Sequence, residues 1–244
     1  MTYKTKGIVL RSTKYGETSL IVVIYTALFG IQTYIVNGVR SSKKTSTKAN
    51  YFQPAAILDL VVHHQENKTM HRIKECGWCV LYQQVLSNVV KNCIALYITE
   101  LLHKCLNQPE KQQALFDFVE DVLLYLDIAD NTTAANLPLY FAIHLPQFFG
   151  FNMQDDVNVQ QHQILDLKEG CFVAELPAHP FFIQGGNAII TALLLKTMHP
   201  AELIQIKLNQ IARRYLLQRY HEYYALHVPE FGQIKTLAVL YEVL

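Results

Sequence analysis

Between residues 4 and 75 the apolar positions fall into short runs near 4–13, 18–26, 31–38, 54–64 and 68–75, each rich in Val, Ile, Leu, Tyr or Thr. The breaks between them are polar or turn-forming: "KYGE", "LFG", a long basic stretch and "QEN". In the fourth run Leu58, Leu60 and Val62 alternate with Asp59, Val61 and His63. That is the period of a strand with one buried face. Five short strands with no helix between them predict a small barrel of the OB type.

From Cys76 onward the spacing lengthens. Cys76, Cys79, Leu86, Val90, Cys93, Tyr97 and Leu101 fit one stripe of a long helix. A second helix fits "EKQQALFDFVEDVLLYLDIA", after Pro109. A third fits "TAANLPLYFAIHLPQFFGF", with Pro138 and Pro146 expected near its ends or at a kink. Residues 152–186 lack a helical period and read as an irregular insert. Two or three helices follow to Leu244. One is amphipathic, with Ile204, Leu208, Ile211 and Tyr215 on one face, Lys207 and Arg214 on another, and Arg213 nearby. The expected fold class is α+β: a five-stranded barrel over 1–80, then a mainly α-helical domain over 81–244.

Composition adds bounds. Of 244 residues 51% are hydrophobic, enough for a sizeable core and too many for a disordered chain. No Gly/Ser-rich or Pro-rich linker and no internal repeat interrupts the chain. The longest apolar run, "LIVVIYTALF", is too short to span a bilayer. "MTYKTKGIVL" lacks signal-peptide architecture. Five cysteines, an odd number, do not suggest a disulfide framework. A soluble protein of a reducing compartment is expected.

The net charge of +1 conceals an asymmetry. Residues 1–80 hold 11 Lys and Arg against 4 Asp and Glu, a balance of +7; residues 81–244 hold 10 against 16, a balance of −6. Such polarity points to a polyanionic partner for the first part. The longest connection, "VRSSKKTSTKANYFQ", carries Arg40, Lys43, Lys44 and Lys48 and no acid. Its cations and hydroxyls suit a row of phosphates. Arg11 and Lys14 flank the first turn beside Tyr15, and Tyr34, Tyr51 and Phe52 are further aromatics near basic groups. Cations interleaved with aromatic platforms are how OB-folds hold single strands. The competing reading is a solvated loop above core aromatics.

Catalytic and metal chemistry find little support. "CGWC" at 76–79 has no second CxxC, and both thiols fall on the apolar stripe, where free Cys acts as a small hydrophobe. His63 and His64 are adjacent on a strand and point to opposite faces. Asp155 and Asp156 read as a polar turn. Cys171 has no His at a telling spacing, and Gly185–Gly186 belong to no phosphate-loop pattern. No catalytic residue, metal ligand or cofactor is assigned, and an enzyme is the weaker class.

The segments "KGIVLRSTKYGETSLIVVIYTALFG", "NGVR" and "FQPAAILDL", followed by "YITELLHKCL", "ALFDFVEDVLLYL", "FFGF", the "GG" pair and "IKTLAVLYEVL", together resemble the bacterial RecO family of recombination mediators across essentially the whole chain. The resemblance implies an N-terminal OB domain and a helical domain. It implies binding of single- and double-stranded DNA, annealing of complementary strands, pairing with RecR, help in loading RecA, and contact with the acidic tail of single-stranded DNA-binding protein. It implies a cytoplasmic, nucleoid-associated protein with no membrane partner. The family's basic OB surface corresponds to Arg40 and, more loosely, to Arg11, Lys14, Lys43, Lys44 and Lys48. Many members carry a four-cysteine zinc site after the "FFGF"-like segment; here the interval 150–200 has only Cys171, so that site is expected to be lost. The insert would then rest on Phe172, Val173, Phe181 and Phe182. For the acidic tail, Lys207, Arg213, Arg214 and Arg219 are the dense basic cluster of the second part, unless they are solvated or pair with Glu202 and Glu222. The alternative to a DNA mediator is a non-catalytic adaptor whose barrel binds RNA or protein.

Overall fold

A computed structural model describes residues 1–39, 47–65, 67–154 and 164–244. They form two compact units, Met1–Ser87 with Ile98–Leu124, and Asn88–Tyr97 with Tyr125–Leu244.

The first unit is built on a closed five-stranded barrel in the order β1-β2-β3-β5-β4. Its strands are β1 (Thr2–Tyr15), β2 (Ser19–Thr26), β3 (Gly30–Val36), β4 (Ile57–His63) and β5 (His71–Trp78). A short helix, α1 (Thr47–Asn50), lies between β3 and β4. β1 serves two neighbours: Thr2–Ile8 pair with β4, and Gly7–Tyr15 pair with β2 across a bulge between Val9 and Arg11. Such a bulge bends a strand sharply, which closure of a small barrel requires. Gly7 belongs to both ladders. A Cβ there would lie 2.6 Å from Ile24 Cγ2 and 2.7 Å from Leu60 Cδ1. The parallel pairing of β3 with β5 closes the barrel through Tyr34–His71 and Ile35–Arg72. Inside are Val9, Val22, Ile24, Tyr34, Phe52, Leu58, Leu60 and Val62, the inward set that strand alternation predicts.

One expectation needs correction. Cys76 does not open a long helix. It lies in β5, paired with Leu60, and the helix α2 (Val89–Cys105) begins only at Val89. Spacing around 76–86 fits either period, and the edge offered by β4 decides for a strand.

Both units draw on α2 and on α3 (Gln113–Ile128). The second unit adds α4 (Asn131–His144), a 3₁₀ turn at Leu145–Phe149, α5 (Gly186–Lys196), a 3₁₀ turn at Pro200–Gln205, α6 (Gln210–His227) and α7 (Thr236–Val243). Asp130 caps α4 by accepting from the backbone N–H groups of Thr132 and Thr133. Pro138 sits in the interior of α4 rather than near an end, while Pro146 falls in the 3₁₀ turn that follows. The insert is not wholly irregular. β6 (Ile164–Asp166), β7 (Cys171–Val173) and β8 (Phe182–Gln184) form a small sheet in the order β7-β6-β8. Asp166 holds its turn by accepting from the N–H of Lys168 at 2.7 Å and pairs with His179 at 3.2 Å. Lys168 lies over the Phe181 ring, and Ile183 and Leu165 are buried.

Candidate nucleic-acid interface

Strand register sets the outer face of the barrel. Arg11 lies opposite Val23, and Val23 opposite Thr33; two residues along, Thr13, Ile21 and Ile35 form the next row. Arg11, Thr13, Lys14 and Tyr15 are exposed, and the residues of β2 and β3 in these rows are half-buried. The β1–β2 turn is tight, with Gly16 in the left-handed region at φ 57°. Tyr15, 54% exposed, stands at its edge.

A groove of about 570 Å³ runs over this face. Val23, Ile31, Gln32 and Thr33 make its floor, Asn67, Lys68 and Thr69 one wall, and His103, Leu106, Asn107 and Pro109 the other. Arg11 and Lys104 adjoin His103. Burial, with those two charges, holds the His103 imidazole below its ordinary pKa, against the pull of Glu100. Apolar Val23, Ile31 and Leu106 beside amides, hydroxyls and the ammonium of Lys68 are a lining suited to bases and phosphates.

Arg11, Lys14 and Tyr15 are thus exposed along the end of β1, and of the three Arg11 adjoins His103 of the groove. Arg40, Lys43 and Lys44 lie outside the described residues, as do Asp155 and Asp156. Lys48 falls on α1. Tyr34 and Phe52 are core residues, fully or almost fully buried, and Tyr51 packs on Trp78 with ring centroids 4.9 Å apart, so none of the three is an open platform. Lys68, His103 and Lys104 were not singled out from sequence. Lys68 was read as the start of a strand, but β5 begins at His71 and leaves it on a polar connection. His103 and Lys104 are the basic last turn of α2, and His103 lines the groove with Val23 of β2 and Ile31, Gln32 and Thr33 of β3.

The thiols of "CGWC" sit on the barrel. Cys76 packs against its core, and burial, reinforced by Asp59, pushes the Cys79 thiol up. Among the described residues no group of three or more His, Cys, Asp or Glu is arranged to hold a metal ion. Nor is any described helix long and apolar enough to cross a membrane.

The basic cluster of the second unit has a geometry its spacing did not foretell. Lys207 is exposed but precedes α6, so it shares no helix with the arginines. Arg213 is 8% exposed. Its guanidinium donates to Asn136 Oδ1 at 3.1 Å and to the carbonyls of Leu244 at 3.2 Å and Leu208 at 3.1 Å. Arg214 donates to the Tyr241 carbonyl and lies over the Tyr241 ring. Arg219 donates to the carbonyls of Pro180 and Phe182 and pairs with Glu222. The expected apolar face is reversed as well. Ile204, Ile211 and Tyr215 are exposed, and α6 buries Leu216, Leu217, Tyr220, Tyr223 and Tyr224 with Arg213, because α4 packs on that side. Next to Arg214, a groove of about 610 Å³ is lined by Phe231, Ile234, Leu237 and Tyr241 among others.

Comparison with known proteins covers both parts of the chain. Residues 1–82 match the family model described as Recombination protein O N terminal, and residues 86–237 match Recombination protein O C terminal. The chain is 31% identical over 243 residues to the DNA repair protein RecO of Christiangramia forsetii, covering 100% of this chain and 99% of that protein. It is 33% identical over 251 residues to that of Flavobacterium psychrophilum, with the same coverage. Identity to that of Bacteroides fragilis is 32% over 244 residues, covering 99% of each.

Proposed function

Because this chain belongs to the RecO family, we propose that it is a DNA-binding mediator of recombinational repair. In this reading the barrel, residues 1–80, binds single-stranded and double-stranded DNA and anneals complementary strands. With RecR the protein helps load RecA onto DNA covered by single-stranded DNA-binding protein. The helical part, residues 81–244, takes that protein's acidic tail.

The observation that carries the reading is the groove on β2 and β3. Its floor is made of strands from the part of the chain with a balance of +7, Lys68 lines it, and Arg11 and Lys104 adjoin its His103. Lys14 and Tyr15 are exposed further along β1, and Arg40, Lys43, Lys44 and Lys48 follow β3 in sequence. For the tail, Lys207 and Arg214 would meet carboxylates and the groove of Phe231, Ile234 and Leu237 its apolar side chains, while Arg213 and Arg219 hold backbone carbonyls of the same unit. No step in this reading needs a covalent intermediate or a metal.

Annealing of complementary oligonucleotides, with and without single-stranded DNA-binding protein, tests the function directly. Binding of labelled single-stranded DNA tests the site. Log affinity should fall with log salt by about 0.7 per phosphate contact. Arg11→Gln and Lys43→Gln/Lys44→Gln should weaken binding and flatten the slope together. Salt-independent binding, or a preference for RNA without annealing, would replace the mediator by an adaptor.

A further inference from the structure

A second cavity opens at the end of the barrel where the chain begins. It has a volume of about 610 Å³ and is lined by Met1, Ile35, His63, Gln65, Lys68, Met70, His71 and Arg72. That volume suits a small ligand. Among the described residues its charged lining is of one sign: Lys68, Arg72 and the chain's first amino group, which donates to the His64 carbonyl at 3.3 Å. Among the described residues neither Lys68 nor Arg72 has a carboxylate partner.

Behind these cations stands a column of rings. Phe29 stacks on His64 at 4.0 Å, and His64 stacks on His71 at 4.4 Å. His71 is 4% exposed, and its Nδ1 is buried without a hydrogen-bond partner, as are His64 Nδ1 and the Tyr34 hydroxyl. Buried polar atoms left unpaired cost stability and mark places where a ligand or a proton is missing. Lys68 lines both this pocket and the groove on β2 and β3, so the two cavities share a wall.

We propose that this pocket holds one phosphate of the bound nucleic acid, gripped by Lys68 and Arg72 and backed by His71. The proposal rests on the nucleic-acid reading of the neighbouring groove. Arg72 brings a planar fork that matches two phosphate oxygens, and Lys68 a mobile point charge. The two non-bridging oxygens of a phosphodiester carry lone pairs enough to accept from both cations together.

The site also couples to protons. Burial, then the neighbouring His64 and Lys68, holds His71 below the ordinary imidazole pKa. The charged or titratable groups around it are Tyr34 on β3, His63 and His64 at the end of β4, Lys68, Arg72 on β5 and the first amino group; the nearest acids along the chain are Glu75, four residues on, and Glu66, five residues back. An anion in the pocket opposes the cations and favours the imidazolium. Affinity for a phosphate should therefore rise as pH falls from 7.5 toward 6.

The test uses the full chain, Lys68→Gln/Arg72→Gln, and oligothymidylate bearing a 5′-phosphate or a 5′-hydroxyl. The double variant should bind about tenfold or more weakly, as loss of a charge-assisted contact implies. Its salt slope should shrink by about 0.7. Equal loss on both oligonucleotides assigns an internal phosphodiester; loss confined to the phosphorylated one assigns a terminal phosphate. In parallel, the His71 ring signals are followed by NMR as inorganic phosphate is added, and they should move toward the protonated form. A folded double variant with wild-type affinity and slope on both oligonucleotides would overturn the proposal. If the wild-type protein binds neither oligonucleotide, the mediator reading fails by itself. The phosphate titration then decides for the pocket alone, and unmoved His71 signals would end it.

Discussion

Replacing Arg213 with Met separates a cation that recognises a partner from one that holds the fold. The side chain keeps its length and loses its donors. Three acceptors then lose a partner: Asn136 Oδ1 and the carbonyls of Leu208 and Leu244. Asn136 is 1% exposed, so water does not replace the lost donor, and an unpaired buried acceptor costs about 1–3 kcal/mol. The carbonyls of Leu208 and Leu244 belong to half-exposed residues, where water compensates much of the loss. Against this stands the relief of no longer burying a guanidinium, whose charge burial already disfavours. The balance is a loss of about 1–3 kcal/mol. For a chain of this size that is a Tm lower by roughly 2–12 °C. Asn136 also donates to the Ile206 carbonyl at 2.8 Å, so the loss loosens α4 from the segment leading into α6. Thermal unfolding followed by far-UV circular dichroism measures the effect, with Lys207→Met as the exposed control expected within about 0.5 kcal/mol of wild type. An Arg213→Met protein that melts with the wild type but no longer binds the acidic tail would refute the reasoning and return Arg213 to the partner surface.

Gly7→Ala should destabilise the barrel by about 1–3 kcal/mol, because the new methyl meets Ile24 and Leu60 well inside contact distance; an unchanged urea midpoint would contradict the packing described. Chelator treatment should leave both the circular dichroism and the Tm unchanged, whereas stoichiometric zinc lost on Cys76→Ser would make "CGWC" a metal site after all. His71, His103 and His144 all have their pKa lowered, chiefly by burial. The unfolded chain then binds more protons just below pH 6.5, so stability should be full above that pH and fall as the pH drops through it; urea unfolding at pH 7.5 and 5.5 checks the sign. Asp130→Ala should cost about 1 kcal/mol by uncapping α4. Since hydrogen bonds from Thr133, then Thr132, lower the Asp130 pKa, that contribution is present above the ordinary carboxylate pKa and lost on acidification below it.

Membership of the RecO family makes the charge asymmetry intelligible, since a balance of +7 over residues 1–80 is a sum along the chain and needs no fold to be read. The barrel strands were legible for a similar reason. Alternation is local, and Leu58, Leu60 and Val62 point inward because each neighbour points out. What alternation left open was settled by partners distant in sequence. Cys76 fitted a helical stripe, yet pairing with Leu60 made it a strand residue. The three-residue strands of the insert are too short to carry a period, and they exist because β6 pairs with both β7 and β8. On α6 the apolar residues Ile211 and Tyr215 face outward while Arg213 is buried, since Asn136 of α4 and the carbonyls of Leu208 and Leu244 offer acceptors on the inner side. The groove itself gathers Val23, Thr33, Lys68 and His103 from four places along the chain. Local pattern determines which residues want a strand, a helix or water. Only closure of the barrel and packing of the helices decide which of them become neighbours, because contact depends on distances that sequence separation does not measure.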